Sequence, residues 1–338
     1  MNSPVLTFFN NRGGIGKTAL VYHLAWMYAG LGKRVVVLDL DPQMTLTTTF
    51  LDEEKIAEIW DRGGPGSTVF RCVKPLTYGG ECVEPVLQKV TAGLYLLPGD
   101  IGLSGLEEVL SDHWSMSLEN NAPYRSMRIL GCFRPVMVMA ARSVEADIIL
   151  VDTGPNPGAV NRSVLISTDY LTISLGADFV SLQSLESLGY TLWNWKSAWQ
   201  NRLENRNVDA GKNDDFGFEL PRGRMHPIGY TCRQYGFRLE RPITAYDKWA
   251  RRIPADYRKF VLREQPSDDI QLEEDPYCLA MIKRYFSLMW MGQERRKPVF
   301  NLTPADGAVG SHALAVQDAR TDYRALAETI AEKMGVHL

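Results

Sequence analysis

The feature that most constrains this chain is a glycine-rich segment at residues 10–18 (NNRGGIGKT), between a short apolar run and a helical pattern. The apolar run is residues 5–9, and residues 20–31 place apolar side chains on one helical face. Closely spaced glycines let the backbone turn its N–H groups toward an anion, and a helix N-terminus adds positive potential there. Lys17 and Thr18 carry the side chains that reach phosphate oxygens and Mg²⁺ in such loops. A strand, a phosphate-binding loop and a helix in this order predict an α/β fold.

The rest of the chain repeats the alternation of strand and helix. Residues 34–40 (RVVVLDL) are apolar without alternation, which is typical of a parallel strand buried on both faces. Further candidate strands are residues 94–97, 148–151, 171–175, 228–230 and 299–302. Helical patterns cover residues 103–110, 127–141, 182–203 and 323–334. This order predicts a doubly wound, mostly parallel sheet flanked by helices, with ligand sites at the carboxyl ends of its strands.

The composition argues against several other classes of protein. The shares of 45% hydrophobic and 23% charged residues are typical of a globular protein. No run approaches the roughly 18 apolar residues that a membrane helix needs, so we expect no membrane partner and a cytoplasmic location. The five cysteines are scattered without a CxxC pair, which argues against a disulfide framework and against a zinc or iron–sulfur site.

The details of the loop indicate one family. The usual GxxxxGK[ST] pattern fails because its first glycine would fall on Asn11, whereas the form xKGGxGK[ST] fits with Arg12 in place of its signature lysine. With this deviant Walker A loop the chain resembles the ParA/MinD group of P-loop ATPases, and in particular the ParA-like partition ATPases. Residues 39–43 (DLDPQ) match the DxDPQ of that group, and residues 148–155 (IILVDTGP) resemble its Walker B strand and switch II. The resemblance covers the first 190 or so residues and the last 40.

The resemblance implies that ATP and Mg²⁺ are bound, and it gives roles to individual residues. Asp41 would position the attacking water, with Lys17 and Arg12 as the other catalytic residues. Mg²⁺ would be held by Thr18, Asp39 and Asp152, the last through water. The expected nucleotide contacts are Asn11, Arg12, Gly13, Gly14, Ile15, Gly16, Lys17, Thr18, Ala19 and Pro304. Pro304 and residues 231–234 are candidates for contact with the base from their position in the fold alone.

Arg12 is the informative departure from the family pattern. In the family, the signature lysine crosses the dimer interface to the partner's nucleotide. Arginine keeps the charge, but its planar fork is not interchangeable with an ammonium group. The substitution leaves two interpretations open: a retained contact in trans, or weakened hydrolysis with a different dimer.

On this reading residues 1–338 form a single P-loop ATPase domain. Residues 205–298, where the resemblance thins out, form a basic and partly helical elaboration within it. Between residues 222 and 263 there are eleven Lys or Arg against three acids, a local charge of +8, which leaves −11 for the rest of a chain whose net charge is −3. This asymmetry is typical of a surface that meets an anionic partner, although a solvated basic face would look the same. The candidate DNA contacts are Arg238, Arg241, Arg251, Arg252, Arg258 and Lys259.

Three functions remain open at this point. The first is a slow ATPase that converts ATP and water to ADP and phosphate, forms a homodimer on ATP and Mg²⁺, and times the positioning of DNA or another cargo, with nucleoid association if DNA is bound non-specifically. The second is a regulatory or defence-associated ATPase that signals to an adaptor or effector protein. The third is a metabolic ligase on the same fold, which would not need the DxDPQ segment.

Overall fold

The structure is a computed structural model that describes residues 3–118, 123–205, 218–233, 248–265, 270–283 and 285–338. These residues contain one sheet of eight strands. The strands are β1 Val5–Phe9, β2 Val35–Leu40, β3 Gln88–Thr91, β4 Leu94–Leu97, β5 Ile148–Thr153, β6 Tyr170–Gly176, β7 His226–Arg233 and β8 Cys278–Ile282. They lie in the order β3-β4-β2-β5-β1-β6-β7-β8. All neighbouring strands are parallel except β3 and β4. The predicted α/β fold with a mostly parallel sheet is confirmed.

Helices cover both faces of this sheet. Within the described ranges the α-helices are α1 Lys17–Gly30, α2 Thr45–Phe50, α3 Glu53–Arg62, α4 Val69–Thr77, α5 Leu106–Met116, α6 Pro123–Leu130, α7 Phe133–Val144, α8 Ala159–Ile166, α9 Phe179–Asn205, α10 Ile253–Asp256, α11 Phe286–Arg295 and α12 Ser311–Met334. Short 3₁₀ helices lie at Ile101–Gly105, Leu272–Glu274, Val299–Asn301 and Pro304–Asp306, and a π-helical turn, Tyr257–Leu262, follows α10. None of these helices has the length and apolar character needed to cross a bilayer.

Each face of the sheet has its own apolar core. On β1, Val5 and Phe9 pack in the core beneath α4 to α9, whereas Leu6 and Phe8 pack in the core beneath α1 and α12. All six residues of β2 are likewise buried. Because both faces of these strands are covered, their sequences are continuous apolar runs rather than alternating ones. Burial of each such side chain contributes about 1.5–3 kcal/mol to the stability of the fold. The well-packed strands therefore hold the loops at their carboxyl ends in fixed positions.

The strand predicted at residues 299–302 is wrong. This segment is the 3₁₀ turn Val299–Asn301 between two prolines, and its backbone groups bond to side chains instead of to a neighbouring strand. The Val299 N–H donates to His23 Nε2 at 3.2 Å, and the Phe300 carbonyl accepts from Arg320 at 2.6 Å. The sheet ends instead with β8, which the sequence patterns did not predict.

The helix predicted at residues 127–141 is two helices, α6 and α7. They are separated at Gly131, where Pro221 packs against the backbone. A Cβ added to Gly131 would lie 2.7 Å from Pro221 Cδ, so the close approach requires glycine.

Candidate functional site

The glycine-rich loop lies at the carboxyl end of β1 and leads into α1. Gly14 and Gly16 have φ angles of 74° and 91°, in the left-handed region that glycine adopts without strain. Asn10 fixes the start of the loop: its Oδ1 accepts from the Arg12 N–H at 2.8 Å, and its Nδ2 donates to the Ser174 carbonyl of β6. The loop is therefore tied to the centre of the sheet, and the N-terminus of α1 opens on the space beyond the strand ends.

Lys17 is the buried cation of this loop, only 7% exposed. Burial lowers the pKa of its ammonium group, while the carboxylates of Asp152 and Asp41 raise it. A buried charge is costly unless anions compensate it, and the two carboxylates do so in this structure. A phosphate group in the loop would add a further anionic partner.

Asp152, next to the end of β5, is fully buried, and neither of its carboxylate oxygens makes a hydrogen bond of normal geometry. Burial raises its pKa to about 8, with a further rise from the charge of Asp39, while the Thr18 hydroxyl and Lys17 lower it. Unsatisfied buried oxygens of this kind fit a divalent cation, since Mg²⁺ prefers oxygen ligands from carboxylates, hydroxyls, water and phosphates. Thr18 and Asp152 are therefore suited to a Mg²⁺ site.

Protein carboxylates alone would not complete such a site. Across the described part of the chain, no three or more His, Cys, Asp or Glu side chains converge on a point suited to a metal ion. The other ligands of a Mg²⁺ ion at Thr18 would be water and the phosphates of a bound nucleotide, which is the usual way that Mg²⁺ is held in sites of this type.

Asp39 is engaged by the protein itself. One carboxylate oxygen accepts from the Thr47 N–H at 2.8 Å and from the Thr47 hydroxyl at 2.7 Å, and the other accepts from the Asp41 N–H at 3.2 Å. Burial raises the pKa of Asp39 to about 6, although these hydrogen bonds act to lower it. Asp39 thus anchors the start of α2 and the backbone of Asp41. These bonds favour a positioning role over direct Mg²⁺ coordination.

Asp41 follows β2 and lies on the wall of the same space as Lys17. It is 9% exposed, and its Oδ1 accepts from the Gln43 N–H at 3.0 Å. The backbone at Gly154 passes beside it, so that a Cβ added there would lie 3.4 Å from Asp41 Oδ1. Asp41 is therefore held beside the backbone of Gly154, next to Pro155.

Arg12 turns toward a carboxylate of its own chain. Its Nη1 donates to both oxygens of Asp178, at 2.7 and 2.8 Å, and to the Ser181 hydroxyl at 3.0 Å. Burial tends to raise the pKa of Asp178, but the Ser181 N–H and the Arg12 guanidinium hold it below its usual value. Both side chains are about one-third exposed, at 34% and 27%. In this conformation Arg12 points at the start of α9.

A cavity of about 650 Å³ opens from the loop. Residues 13–18 form one wall of the cavity. Asp41 and Pro155 line the side toward β2, and Arg233 and residues of α11 line the side toward β8. The volume falls within the range of roughly 300–1,000 Å³ that is usual for small-molecule sites.

Three of the residues predicted to contact nucleotide do not line this cavity. Asn11 and Arg12 are half-buried beside it, and Pro304 is exposed on its 3₁₀ turn. Pro304 therefore lies outside the cavity that opens from the loop. The predicted residues Gly13, Gly14, Ile15, Gly16, Lys17, Thr18 and Ala19 all line the cavity.

The far wall of the cavity contains residues that no sequence motif revealed. These residues are Met289, Trp290 and Gln293 of α11. Of the predicted base segment 231–234, Thr231 and Arg233 also line the cavity, and Arg233 Nη1 donates to the Gly14 carbonyl at 2.7 Å. The α11 segment belongs to the region with the weakest family resemblance. Its apolar pattern marks a helix but says nothing about which face meets a cavity.

Among the predicted DNA contacts that the structure describes, one differs from its prediction. Arg258 is only 6% exposed and forms an ion pair with Asp275 at 2.6 Å, so the prediction that it contacts DNA is wrong. Arg251 and Lys259 are exposed, and Arg252, also exposed, forms an ion pair with Asp256 at 3.4 Å. The remaining two candidates, Arg238 and Arg241, lie outside the described residues.

Comparison with known proteins is consistent with this geometry. The family model described as "AAA domain" (AAA_31) matches residues 3–205. The chain is 25% identical over 206 residues to the chromosome partitioning protein ParA of Caulobacter vibrioides, covering 60% of this chain and 67% of that protein. It is 24% identical over 185 residues to the sporulation initiation inhibitor protein Soj of Bacillus subtilis, covering 54% of this chain and 62% of that protein.

Solved structures match almost the whole chain. A protein from Corynebacterium diphtheriae has a TM-score of 0.71 at 21% identity, covering 98% of each chain. A complex of a Cyanothece McdA variant with ATP has a TM-score of 0.62 at 14% identity, covering 99% of this chain and 98% of the other. At these identities the structures establish the fold and not the function. The fold match extends beyond residue 205, where the family model ends.

Proposed function

This chain belongs to the ParA-like family of P-loop ATPases, and we propose that it binds ATP with Mg²⁺, forms a homodimer on ATP and acts as a switch timed by slow hydrolysis. One observation carries the proposal. A buried lysine, Lys17, and a buried carboxylate with no hydrogen bond of normal geometry, Asp152, lie at a glycine loop that opens on a 650 Å³ cavity. The arrangement suits a magnesium–phosphate group.

The chemistry follows from the positions of these side chains. The Lys17 ammonium and the backbone N–H groups of the loop neutralise phosphate charge, as phosphoryl transfer requires. Thr18 and Asp152 would hold Mg²⁺, which adds charge neutralisation at the phosphates. The Asp41 carboxylate orients a water molecule toward the terminal phosphate and accepts its proton, so that ATP and water give ADP and phosphate.

The homodimer part of the proposal concerns Arg12. To reach the nucleotide of a second copy, Arg12 has to leave Asp178, and a partly exposed ion pair of this kind contributes only about 0–1 kcal/mol. A charge-assisted contact with phosphate contributes about 1.5–3 kcal/mol, so the exchange is favourable once nucleotide is present. The Arg12–Asp178 pair is thus compatible with a contact in trans.

The first expected result is a loss of ATP affinity in Lys17→Ala. The substitution removes a charge-assisted contact and leaves Asp152 and Asp41 without their cation, so we expect an increase in Kd of tenfold or more. Isothermal titration calorimetry with Mg²⁺ present measures this directly. Lys74→Ala, at an exposed position of α4, is the matched control and should bind like the parent protein. Equal affinity of Lys17→Ala and parent would show that the loop does not bind ATP.

The partner that we propose for the dimer is DNA, bound without sequence preference through Arg251, Arg252 and Lys259. If two or three of these cations in each protomer touch phosphates, a dimer neutralises about five charges, and log K falls with log salt at a slope of about −4 to −5. Fluorescence anisotropy with a random-sequence duplex in ATP and Mg²⁺ measures this slope.

The double variant with Arg251 and Arg252 changed to Glu should lose most of this DNA binding. Its control is a double variant with Arg62 and Arg324 changed to Glu, since both are exposed and lie far along the chain, on α3 and α12. Absence of binding at low salt, or a slope that the Arg251 and Arg252 changes leave intact, would exclude DNA and favour an adaptor or effector protein as partner.

A further inference from the structure

Trp290 is 73% exposed, yet it lines the cavity that begins at the phosphate-binding loop. Its indole makes no hydrogen bond, ion pair or ring contact with any other residue that the structure describes. A large aromatic ring left open at the wall of a cavity is a suitable surface for a planar ligand, because stacking buries apolar area on both rings.

The position of Trp290 is fixed by the anchoring of α11. Leu288 is buried beneath the helix, and the Tyr285 hydroxyl just before it donates to Asp322 of α12 at 2.6 Å. At the other end, the Lys297 N–H donates to the Gly292 carbonyl at 2.9 Å. The backbone that carries Trp290 is therefore fixed before any ligand enters, which lowers the entropic cost of binding.

Met289, Trp290 and Gln293 are spaced i, i+1 and i+4, which places them on one face of α11, and all three line the cavity. We propose that this face is the base subsite of the nucleotide site, where Trp290 stacks on the base and Gln293 hydrogen-bonds to its edge. The inference rests on the proposed ATP-binding function. The subsite lies beyond residue 205, outside the part of the chain that the family model matches.

The polar groups of the subsite favour adenine. A glutamine side chain both donates and accepts, which matches the amino group and ring nitrogen on the adenine edge. Arg233 and Lys283 would suit the two acceptors of guanine, but Arg233 donates to the Gly14 carbonyl at 2.7 Å and Lys283 pairs with Asp322 at 3.0 Å. Gln293 is thus the residue of the α11 face that selects between the two purines.

The test compares two ligands that share the phosphates and differ in the base: ATP and inorganic tripolyphosphate, each titrated with Mg²⁺ by calorimetry. Trp290→Ala should weaken ATP binding about tenfold, the usual effect of removing a stacking partner, and leave tripolyphosphate binding unchanged. Trp290→Phe keeps a ring and should retain most of the affinity for ATP. Gln293→Ala should reduce the preference for ATP over GTP. Trp60→Ala, at a 43% exposed position of α3 that does not line the cavity, is the control.

The outcomes separate this inference from the proposed function. If Trp290→Ala binds ATP like the parent protein while Lys17→Ala does not bind, the site takes ATP but the base subsite lies elsewhere. An equal loss for ATP and tripolyphosphate in Trp290→Ala indicates a structural effect and overturns the stacking role. If the parent protein binds neither ligand, or Lys17→Ala changes neither affinity, the proposed function fails and the inference fails with it.

Discussion

Replacing Asp41 with alanine is expected to stop ATP hydrolysis without removing ATP binding. The carboxylate lies beside Lys17 at the wall of the cavity, and it is the side chain there that can orient a water molecule and accept its proton. Loss of a positioned general base lowers turnover by about 10²–10⁴-fold. Phosphate contacts from Lys17 and the loop remain, so the Kd for ATP should stay within a few fold of that of the parent protein.

The same variant should accumulate as an ATP-bound dimer, because dissociation depends on hydrolysis in the proposed cycle. Light scattering with ATP and Mg²⁺ reports the mass, and a phosphate-release assay reports the turnover. Glu54→Ala, which removes an exposed acid from α3, should behave like the parent protein in both assays. If Asp41→Ala stays monomeric with ATP while the parent protein dimerises, Asp41 has a structural role, in line with its hydrogen bond to the Gln43 N–H.

The parts of the site that could be predicted are those where one short segment determines both the local structure and the chemistry. The glycine loop is such a segment, because positive φ, the helix N-terminus and Lys17 all follow from nine consecutive residues, 10–18. Asp39 and Asp152 are adjacent in the register of β2 and β5, and their strands were predicted because two-sided burial leaves a continuous apolar run. The sequence motifs therefore predicted the glycine-loop end of the cavity.

The parts that could not be predicted depend on contacts between distant segments. Trp290 carries no local signature, since its exposure to the cavity depends on Tyr285 meeting Asp322 across 37 residues. The burial of Arg258 likewise depends on its ion pair with Asp275. The prediction from local charge therefore treated Arg258 as a surface residue, whereas it is buried. In the same way, β8 is a short edge strand whose pairing with β7 is decided by tertiary packing rather than by its own five residues.

Replacing Arg12 with alanine is expected to lower turnover by up to about 10³-fold, the low end of the effect of an arginine finger, if the guanidinium reaches the partner's nucleotide. Arg12→Lys should retain part of the activity because it restores the charge without the planar fork. The structure shows Arg12 bound to Asp178 of its own chain, so a lower turnover alone would not distinguish a contact in trans from a role within one protomer.

Mixing two inactive variants makes that distinction. In a dimer of Arg12→Ala with Asp41→Ala, the first protomer keeps its own Asp41 and receives Arg12 from the second, so one of the two sites is complete if Arg12 acts in trans. If equal amounts are mixed before ATP is added, random pairing makes half of the dimers mixed, so the initial turnover should be about one quarter of the parent value, whereas each variant alone has almost none. If Arg12 acts within its own protomer, neither site of the mixed dimer is complete and the mixture stays inactive. That result would assign Arg12 to the start of α9, where the Asp178 pair holds it, and would remove it from the dimer interface.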